Sequence, residues 1–287
     1  MKTFKFTIGA DPEMFFRNNE ELISVINKIG GSKQVPMDIG NGCAIQEDNV
    51  AAEFCIPPAS DVTSFKASIM FAMSDLQARA EKLGLTLAEL TASGEFSKEQ
   101  LKSRKAREFG CDPDYNAWTL DVNPRPRANN PFLRSAGGHV HIGTDKDAIE
   151  VVRCADLMLG VPSVLLDPDT ERRKLYGKAG CFRQKPYGVE YRTLSNFWIW
   201  KEKTIEWVYH QVESLIDLCD DFNRNATDEE RKNIVNCINN NDRATAERLV
   251  KTWEIALPSV LVILSLTKAR ILFGKKEKFI LSMKPVI

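Results

Sequence analysis

The sequence Gly137-Gly138-His139-Val140-His141-Ile142-Gly143 has the alternation of a β-strand. Successive side chains of a strand point to opposite faces, so His139 and His141 are predicted to share one face and the two apolar residues the other. Two of the 3 histidines of the chain lie in this segment. The glycines at its ends allow a second backbone or a ligand to come close. The segment therefore predicts either a functional imidazole pair or a half-buried strand whose histidines bond to their neighbours.

Carboxylates occupy comparable positions in two earlier segments. Residues 4–8 alternate as a strand, and the same parity places Asp11 and Glu13 together on the face away from the core. Residues 43–56 predict a hairpin that turns at Asp48-Asn49, with Glu53 between small and apolar neighbours on its second strand. A buried carboxylate is costly unless it is paired or bound to a metal. The alternative is a solvated strand end and an ordinary turn.

Charged residues recur later in the chain. Residues 188–194 predict a strand with Glu190 and Arg192 on one face, and a surface ion pair is the alternative. Residues 167–184, rich in charge and glycine, are predicted to form an exposed loop. Its basic side chains, including Arg173, Lys178 and Arg183, suit an anion such as a polyphosphate.

Taken together, the acids and histidines form a set of hard ligands without a thiolate, which favours Mg²⁺ or Mn²⁺ over structural zinc. Divalent ions held in this way are what phosphoryl transfer from ATP requires. The sequence contains neither a Walker lysine loop nor a dinucleotide glycine motif. A nucleotide would therefore be bound by a different scheme.

The remaining segments predict helices, and the whole indicates an α+β fold. We expect residues 1–200 to form a catalytic sheet domain and residues 201–287 a helical C-terminal part packed on it. The helices are predicted over residues 61–83, 98–107, 145–166, 196–222, 228–240, 243–253 and 258–272.

Composition excludes several classes of protein. The chain has 39 basic and 39 acidic residues, so no charge excess indicates nucleic acid or an anionic membrane. The apolar run at residues 256–266 contains Pro258 and is too short to span a bilayer. The 7 cysteines form no CxxC pair, and the N-terminus lacks the features of a signal peptide. We therefore expect a cytoplasmic protein with reduced thiols.

Four motifs carry a family resemblance, namely Asp11-Pro12-Glu13, the stretch from Asp48 to Glu53, His139-Val140-His141 and Glu190-Tyr191-Arg192. In order and combination they resemble the compact carboxylate-amine ligases (amidoligases) often encoded by bacteriophages, within the glutamine synthetase and glutamate-cysteine ligase superfamily. The resemblance runs from about residue 5 to residue 200.

This resemblance implies a curved antiparallel sheet of the glutamine synthetase catalytic type that forms a funnel, with ATP at one end and the other substrates at the opposite end. It implies that ATP phosphorylates a small-molecule or peptide carboxylate and that an amine attacks the acyl phosphate, in the host cytoplasm if the protein is phage-encoded. Carried over by position, the metal ligands would be Asp11, Glu13, Glu53, His139 and Glu190. Arg192 would stabilise the acyl phosphate, His141 and Arg183 would lie near the nucleotide phosphates, and Asp48 would orient a metal or the amine.

The sequence departs from the larger synthetases of that superfamily in two respects. Asp11 stands where a glutamate is usual, and their separate N-terminal domain is not found, so the oligomeric state stays open. Rival hypotheses are a metal-dependent hydrolase that uses His139 and His141, a phosphagen-kinase-like transferase, and a non-catalytic binding or structural relative. Clustered carboxylates argue against the last, because they are destabilising without a cation.

Overall fold

The fold combines helices with antiparallel sheets, as the sequence predicts. The structure, a computed structural model, describes residues 6–19, 21–107, 114–124 and 130–258. The strands are β1 (Thr7–Ala10), β2 (Glu13–Met14), β3 (Phe16–Asn18), β4 (Glu21–Ile23), β5 (Met37–Gly40), β6 (Cys43–Asp48), β7 (Ala51–Cys55), β8 (Thr86–Leu87), β9 (Ser93–Glu95), β10 (Tyr115–Asn116), β11 (Leu133–Ser135), β12 (Val140–Gly143), β13 (Cys181–Lys185) and β14 (Gly188–Tyr191). The helices are α1 (Val62–Lys82), α2 (Arg104–Arg107), α3 (Ala148–Ala155), α4 (Val161–Leu166), α5 (Arg172–Leu175), α6 (Glu202–Asn225), α7 (Asp228–Asn240) and α8 (Arg243–Thr252).

Residues 7–14 join the two largest sheets. On one side β1 pairs antiparallel with β12, in a five-stranded sheet ordered β1-β12-β14-β13-β10. On the other side β2 pairs with β7, in a four-stranded sheet ordered β2-β7-β6-β5. Between these pairings the carbonyls of Ala10 and Pro12 accept hydrogen bonds from the N–H groups of Ile56 and Phe54, at 3.2 and 3.3 Å. This segment is therefore bonded along both of its edges.

The apolar core lies between the sheets and helices α1, α3 and α6. One cluster of buried side chains includes Ile8 of the sheet, Phe65 of α1, Val152 of α3 and Leu215 of α6. Helix α1 begins where predicted, because the Asp61 side chain accepts a hydrogen bond from the Ser64 N–H at 2.8 Å. The predicted division of the chain at residue 200, between a sheet domain and a helical C-terminal part, stays a prediction.

Helices α7 and α8 begin and end within a residue of the predicted bounds. A reciprocal capping box between Thr227 and Glu230 begins α7, and Asn241 ends it in the left-handed conformation with φ 53°. Asp242 then caps α8. The predicted helix over residues 258–272 lies outside the described residues.

Four predictions of secondary structure were wrong in part. The helix over residues 145–166 is two helices separated by a π-helical turn, Asp156–Gly160. The buried Asp156 accepts hydrogen bonds from Trp118 Nε1 at 2.6 Å and the Tyr191 hydroxyl at 2.7 Å, which gives a physical reason for the distorted turn. Pro162 consequently lies in the first turn of α4, where proline is tolerated.

The other three errors concern residues 167–184 and the bounds of two helices. The segment is only partly a loop, since it contains α5 and most of β13. The helix predicted over residues 98–107 is restricted to Arg104–Arg107, and the long helix predicted from residue 196 begins at Glu202 after a 3₁₀ turn. Among the described residues, no helix combines the length and apolarity that a membrane span requires.

Candidate active site

Cross-strand pairing brings the predicted acids and histidines together. His141 lies opposite Gly9 on one side and opposite Glu190 on the other. Glu13 lies opposite Glu53 in the neighbouring sheet. Directly opposed residues of antiparallel strands have their side chains within contact distance. The four predicted segments therefore meet around residues 9–13.

The first group of ligand atoms surrounds Asp11. Its Oδ1 lies 3.3 Å from His139 Nδ1 and 3.1 Å from His141 Nε2, and His139 Nδ1 lies 3.9 Å from Glu190 Oε1. Ligand atoms of Asp11, His141 and Glu190 all lie within 4.8 Å of one another. Both histidines thus face one carboxylate, as the strand parity predicts.

Neighbouring charges keep these carboxyl groups ionised. Burial acts to raise the pKa of Asp11, but the charge of His141 and the hydrogen bonds from both histidines lower it well below its usual range. Burial and Asp11 likewise act to raise the pKa of Glu190, whereas Arg192, His139 and Lys185 lower it to about 2. The negative charge of the first group is therefore compensated by the histidines and basic side chains around it.

The second group consists of Glu13, Asp48 and Glu53, whose ligand oxygens also lie within 4.8 Å of one another. Glu13 Oε2 accepts a hydrogen bond from the Gly137 N–H, and Glu53 Oε2 accepts one from Gln46 Nε2, both at 2.8 Å. Burial and repulsion by Glu13 raise the pKa of Asp48 to about 6. Burial and repulsion by Asp11, Glu13 and Asp48 raise the pKa of Glu53 well above its usual range. This group lacks compensating charge of comparable strength.

Basic side chains surround Glu190. Arg192 Nη1 donates to Glu190, and Lys185 Nζ lies 2.7 Å from its other oxygen. Arg192 Nε lies 2.8 Å from Asp114 Oδ1, while Arg183 lies 3.5 Å from Glu190 and 3.7 Å from Asp114. Arg192 is therefore held between two carboxylates at a fixed position beside the first group.

Two cavities reach the acidic groups. The larger, about 370 Å³, is lined by Asp11, Glu53 and His141 together with apolar residues and Tyr187. The smaller, about 70 Å³, is lined by Glu13, Asp48, His139 and three arginines, Arg134, Arg172 and Arg192. The acids thus lie between a mostly apolar cavity and a cavity rich in arginine.

Two predicted phosphate-binding residues are not part of this arrangement. Arg173 is buried, with Nη2 3.1 Å from Ser163 Oγ and 3.7 Å from Asp167, and lines neither cavity. Lys178 is exposed and lines neither cavity, although its backbone carbonyl accepts a hydrogen bond from Thr193 Oγ1. Arg183 and His141 were also predicted to lie near the nucleotide phosphates. Unlike Arg173 and Lys178, both contact the first group, Arg183 through Glu190 and His141 through Asp11.

Several residues of the site were missed in the sequence. Arg172 is almost fully buried, donates to the carbonyls of Thr193 and Arg192 at 3.0 and 3.1 Å, and lines the smaller cavity. Lys185 shares its strand face with Arg183, so period-two parity could have identified it. Asp114 belongs to a segment without regular periodicity, and no pattern in the sequence indicates it.

The donors of both groups fit divalent cations. Glu13, Asp48 and Glu53 offer oxygen atoms alone, which suit Mg²⁺ or Mn²⁺. Asp11, His141 and Glu190 offer carboxylate oxygens of the same kind together with one imidazole nitrogen, a ligand more typical of transition metals. The raised pKa values of Asp48 and Glu53 are the expected result of carboxylates crowded together without a cation.

Part of the chain is similar to a known family of ligases. Residues 129–250 match the family described as phage phiEco32-like COOH.NH2 ligase-type 2. A solved structure titled "Crystal structure of novel glutamine synthase homolog" aligns with 86% of this chain and 67% of its own at 10% identity, with a TM-score of 0.31. No curated protein matches the chain. The family match contains the motifs at residues 139–141 and 190–192, and it confirms the resemblance to phage-type carboxylate-amine ligases.

Proposed function

We propose that this protein is an ATP- and Mg²⁺-dependent ligase that joins a carboxylate to an amine through an acyl phosphate. The observation that supports it most is the convergence of the two groups of hard ligands, from four separate strand segments, between two cavities of different character. The family match supports the coarser part of the proposal, a carboxylate-amine ligase.

The character of each cavity suggests its ligand. The larger cavity has a volume typical of small-molecule sites, roughly 300 to 1,000 Å³, and an apolar lining that suits a nucleobase. The smaller cavity contains Arg172 and Arg192, whose guanidinium groups suit a carboxylate. We therefore assign ATP to the larger cavity and the acid substrate to the smaller one.

The proposed reaction has two steps. A carboxylate oxygen attacks the γ-phosphorus of ATP, the bond to the β-phosphate oxygen breaks, and ADP leaves. The amine nitrogen then attacks the carbonyl carbon, the bond from that carbon to the phosphate oxygen breaks, and inorganic phosphate and a proton are released. Arg192, fixed by Asp114 and Glu190, would stabilise negative charge on the acyl phosphate, and Asp48 is placed to hold the amine or accept its proton.

Divalent cations bound at this site would neutralise the phosphate oxygens during transfer. Asp11, His139, His141 and Glu190 would hold one position, and Glu13, Asp48 and Glu53 a second. Because His141 contacts Asp11, it is a candidate for either a metal or a phosphate contact.

The proposal is tested by calorimetry of the full chain with a non-hydrolysable ATP analogue, with and without Mg²⁺ or Mn²⁺. We expect metal-dependent binding that weakens at least about tenfold in Glu53→Gln, because a charged ligand is lost. The control is Glu150→Gln, since Glu150 belongs to an acidic group with Cys219 and Asp220 outside this site. Metal-independent binding would contradict the assignment of the ligands.

The rival hypotheses predict different results in the same experiment. A non-catalytic relative or a metal-dependent hydrolase would bind no ATP analogue under any metal condition. Metal binding without nucleotide binding would favour the hydrolase. Nucleotide binding followed by ADP release with mixtures of acids and amines would support the ligase and begin to identify its substrates.

A further inference from the structure

Gly9 lines the larger cavity without contributing a side chain. A Cβ atom placed on Gly9 would lie 3.5 Å from His141 Cβ on one side and 3.8 Å from the Ile56 carbonyl oxygen on the other. Ile56 and Pro58 line the cavity beyond one edge of this strand, and His141 and Tyr187 line it beyond the other. The larger cavity, called the slot below, therefore combines the carboxylates of Asp11 and Glu53 with aliphatic and aromatic side chains on either side of β1.

The backbone of Tyr187 is held firmly at the turn between β13 and β14. Its carbonyl accepts a hydrogen bond from the Thr144 N–H at 2.9 Å. The next residue, Gly188, has φ +144°, and a Cβ there would lie 2.2 Å from the Ile142 carbonyl oxygen, so only glycine fits. These constraints fix the point from which the Tyr187 side chain extends into the cavity.

About half of the Tyr187 side chain is left uncovered by the rest of the fold. The residue is 47% exposed. Its hydroxyl is hydrogen-bonded to His141 Nδ1, and the two ring centroids lie 6.0 Å apart at an interplanar angle of 30°. Tyr115 is equally exposed, at 48%, but it lies at the edge strand β10, packs against Phe182 and lines neither cavity. Exposure of a large aromatic ring inside a cavity indicates a ligand with a flat, apolar face.

We propose that Tyr187 is the residue that binds the base of the nucleotide by stacking, with the base lying over Gly9 and against Ile56 and Pro58. This inference rests on the proposed function, because it takes ATP as the occupant of the cavity. The side chains that line the slot away from the acids are mainly apolar, so the base is recognised by its face more than by its edge.

The test separates the base from the phosphates. Binding of MgADP and of magnesium tripolyphosphate, which has no base, is measured by calorimetry on wild type, Tyr187→Ala, Tyr187→Leu and Tyr187→Phe. Loss of base stacking typically weakens binding by about tenfold, so we expect that loss for MgADP in the Ala and Leu variants. Tyr187→Phe keeps the ring and should bind MgADP within about threefold of wild type. Tripolyphosphate binding should not change in any of these variants.

Tyr115→Ala is the matched control, since it removes an equally exposed tyrosine outside the cavities. Unchanged MgADP affinity in both Tyr187→Ala and Tyr187→Leu would overturn the inference. Equal weakening of MgADP and tripolyphosphate would also overturn it, because the tyrosine would then act on the phosphates through His141. Wild-type protein that binds neither compound in the presence of Mg²⁺ would overturn the proposed function itself. Wild-type binding of MgADP with an unaffected Tyr187→Ala would leave the proposed function standing.

Discussion

The two acidic groups contain similar side chains, and Asp11 of the first group lies two residues before Glu13 of the second. The pKa values that shift in the first group are nevertheless lowered for its carboxylates, whereas those that shift in the second group are raised. Asp11 and Glu190 have lowered pKa values because two histidines, Arg192 and Lys185 surround them. Asp48 and Glu53 have raised pKa values because burial and repulsion by neighbouring carboxylates both raise them. Burial acts in the same sense on both groups, so the neighbouring charges decide the sign. The first group is stable without a cation, whereas the second is the one that a bound cation would relieve.

The largest expected effect is the loss of charge in the first group. Glu190→Gln leaves Arg192 and Lys185 without their shared buried anion, and breaking such a pair typically costs about 3 kcal/mol or more. The free energy of unfolding, measured by urea titration with a chelator present, should fall by about that amount. Glu150→Gln, in an acidic group elsewhere, should change it by less than about 0.5 kcal/mol. A loss below about 1 kcal/mol for Glu190→Gln would show that the ion pairs of Glu190 with Arg192 and Lys185 contribute little to stability.

A smaller effect is expected from pH. The pKa of Glu190 is about 2 against an ordinary 4.5, so its contribution to stability is present above pH 4.5 and is lost as pH falls towards 2. The pKa of Asp48 is about 6 against an ordinary 3.8, so folded protein binds the proton more tightly and stability falls as pH rises from about 4 to 6. We expect the decline from Asp48 to be about 1 to 2 kcal/mol in the absence of metal.

Asp156 has a raised pKa of about 6 as well, so wild type alone does not isolate the effect of Asp48. The informative quantity is the difference between wild type and Asp48→Asn in urea titrations at pH 4.5 and pH 6.5. Asp48→Asn should lose less stability over this interval, and Mn²⁺ should reduce the difference. If the free energy of unfolding changed equally with pH in the two proteins, the pKa of Asp48 would not be raised by its neighbouring carboxylates.

The smallest effect should have the opposite sign. Glu53→Gln removes one of the crowded carboxylates, so at pH 8 with chelator it should stabilise the protein by up to about 1 kcal/mol. The gain should be smaller at pH 5 than at pH 8, because a raised pKa favours the uncharged form of Glu53 at the lower pH. The melting temperature at the two pH values provides the measurement. If Glu53→Gln destabilised the protein as much as Glu190→Gln, the charge of Glu53 would be compensated in the same way as that of Glu190.

The residues of both groups could be identified from the sequence because strand parity is a local property. Period two predicts that His139 and His141 face the same way, and both contact Asp11. The same logic identified Glu13 and Glu53 separately, although their pairing across neighbouring strands was not predicted, since strand order depends on distant pairing. Parity gives the face of a residue, whereas the identity of the opposite strand is a property of the whole sheet.

Prediction from sequence is weakest where short or irregular elements decide the orientation of a side chain. Arg173 was predicted for the phosphates, but α5 has only four residues, and it is the adjacent Arg172 that lines a cavity. Four residues are too few for a hydrophobic period to show which face is buried. The π-helical turn at Asp156 depends on hydrogen bonds from Trp118 and Tyr191, which are distant in the sequence. The position of Asp114 beside Arg192 depends on tertiary contacts in the same way.

The pairing of residues 7–14 along both edges also determines the order in which the site is assembled during synthesis. The ligands Glu13, Asp48 and Glu53 belong to β2, β6 and β7, which are neighbours in one sheet and leave the ribosome early. Asp11 meets its partners only after β12 and β14 have been made, because β1 pairs with β12 and β12 with β14. Until then one edge of β1 is an unpaired strand edge, and such edges expose nascent chains to aggregation. The nascent protein therefore cannot hold both ligand groups or close that edge before β14, which ends at Tyr191, has left the ribosome.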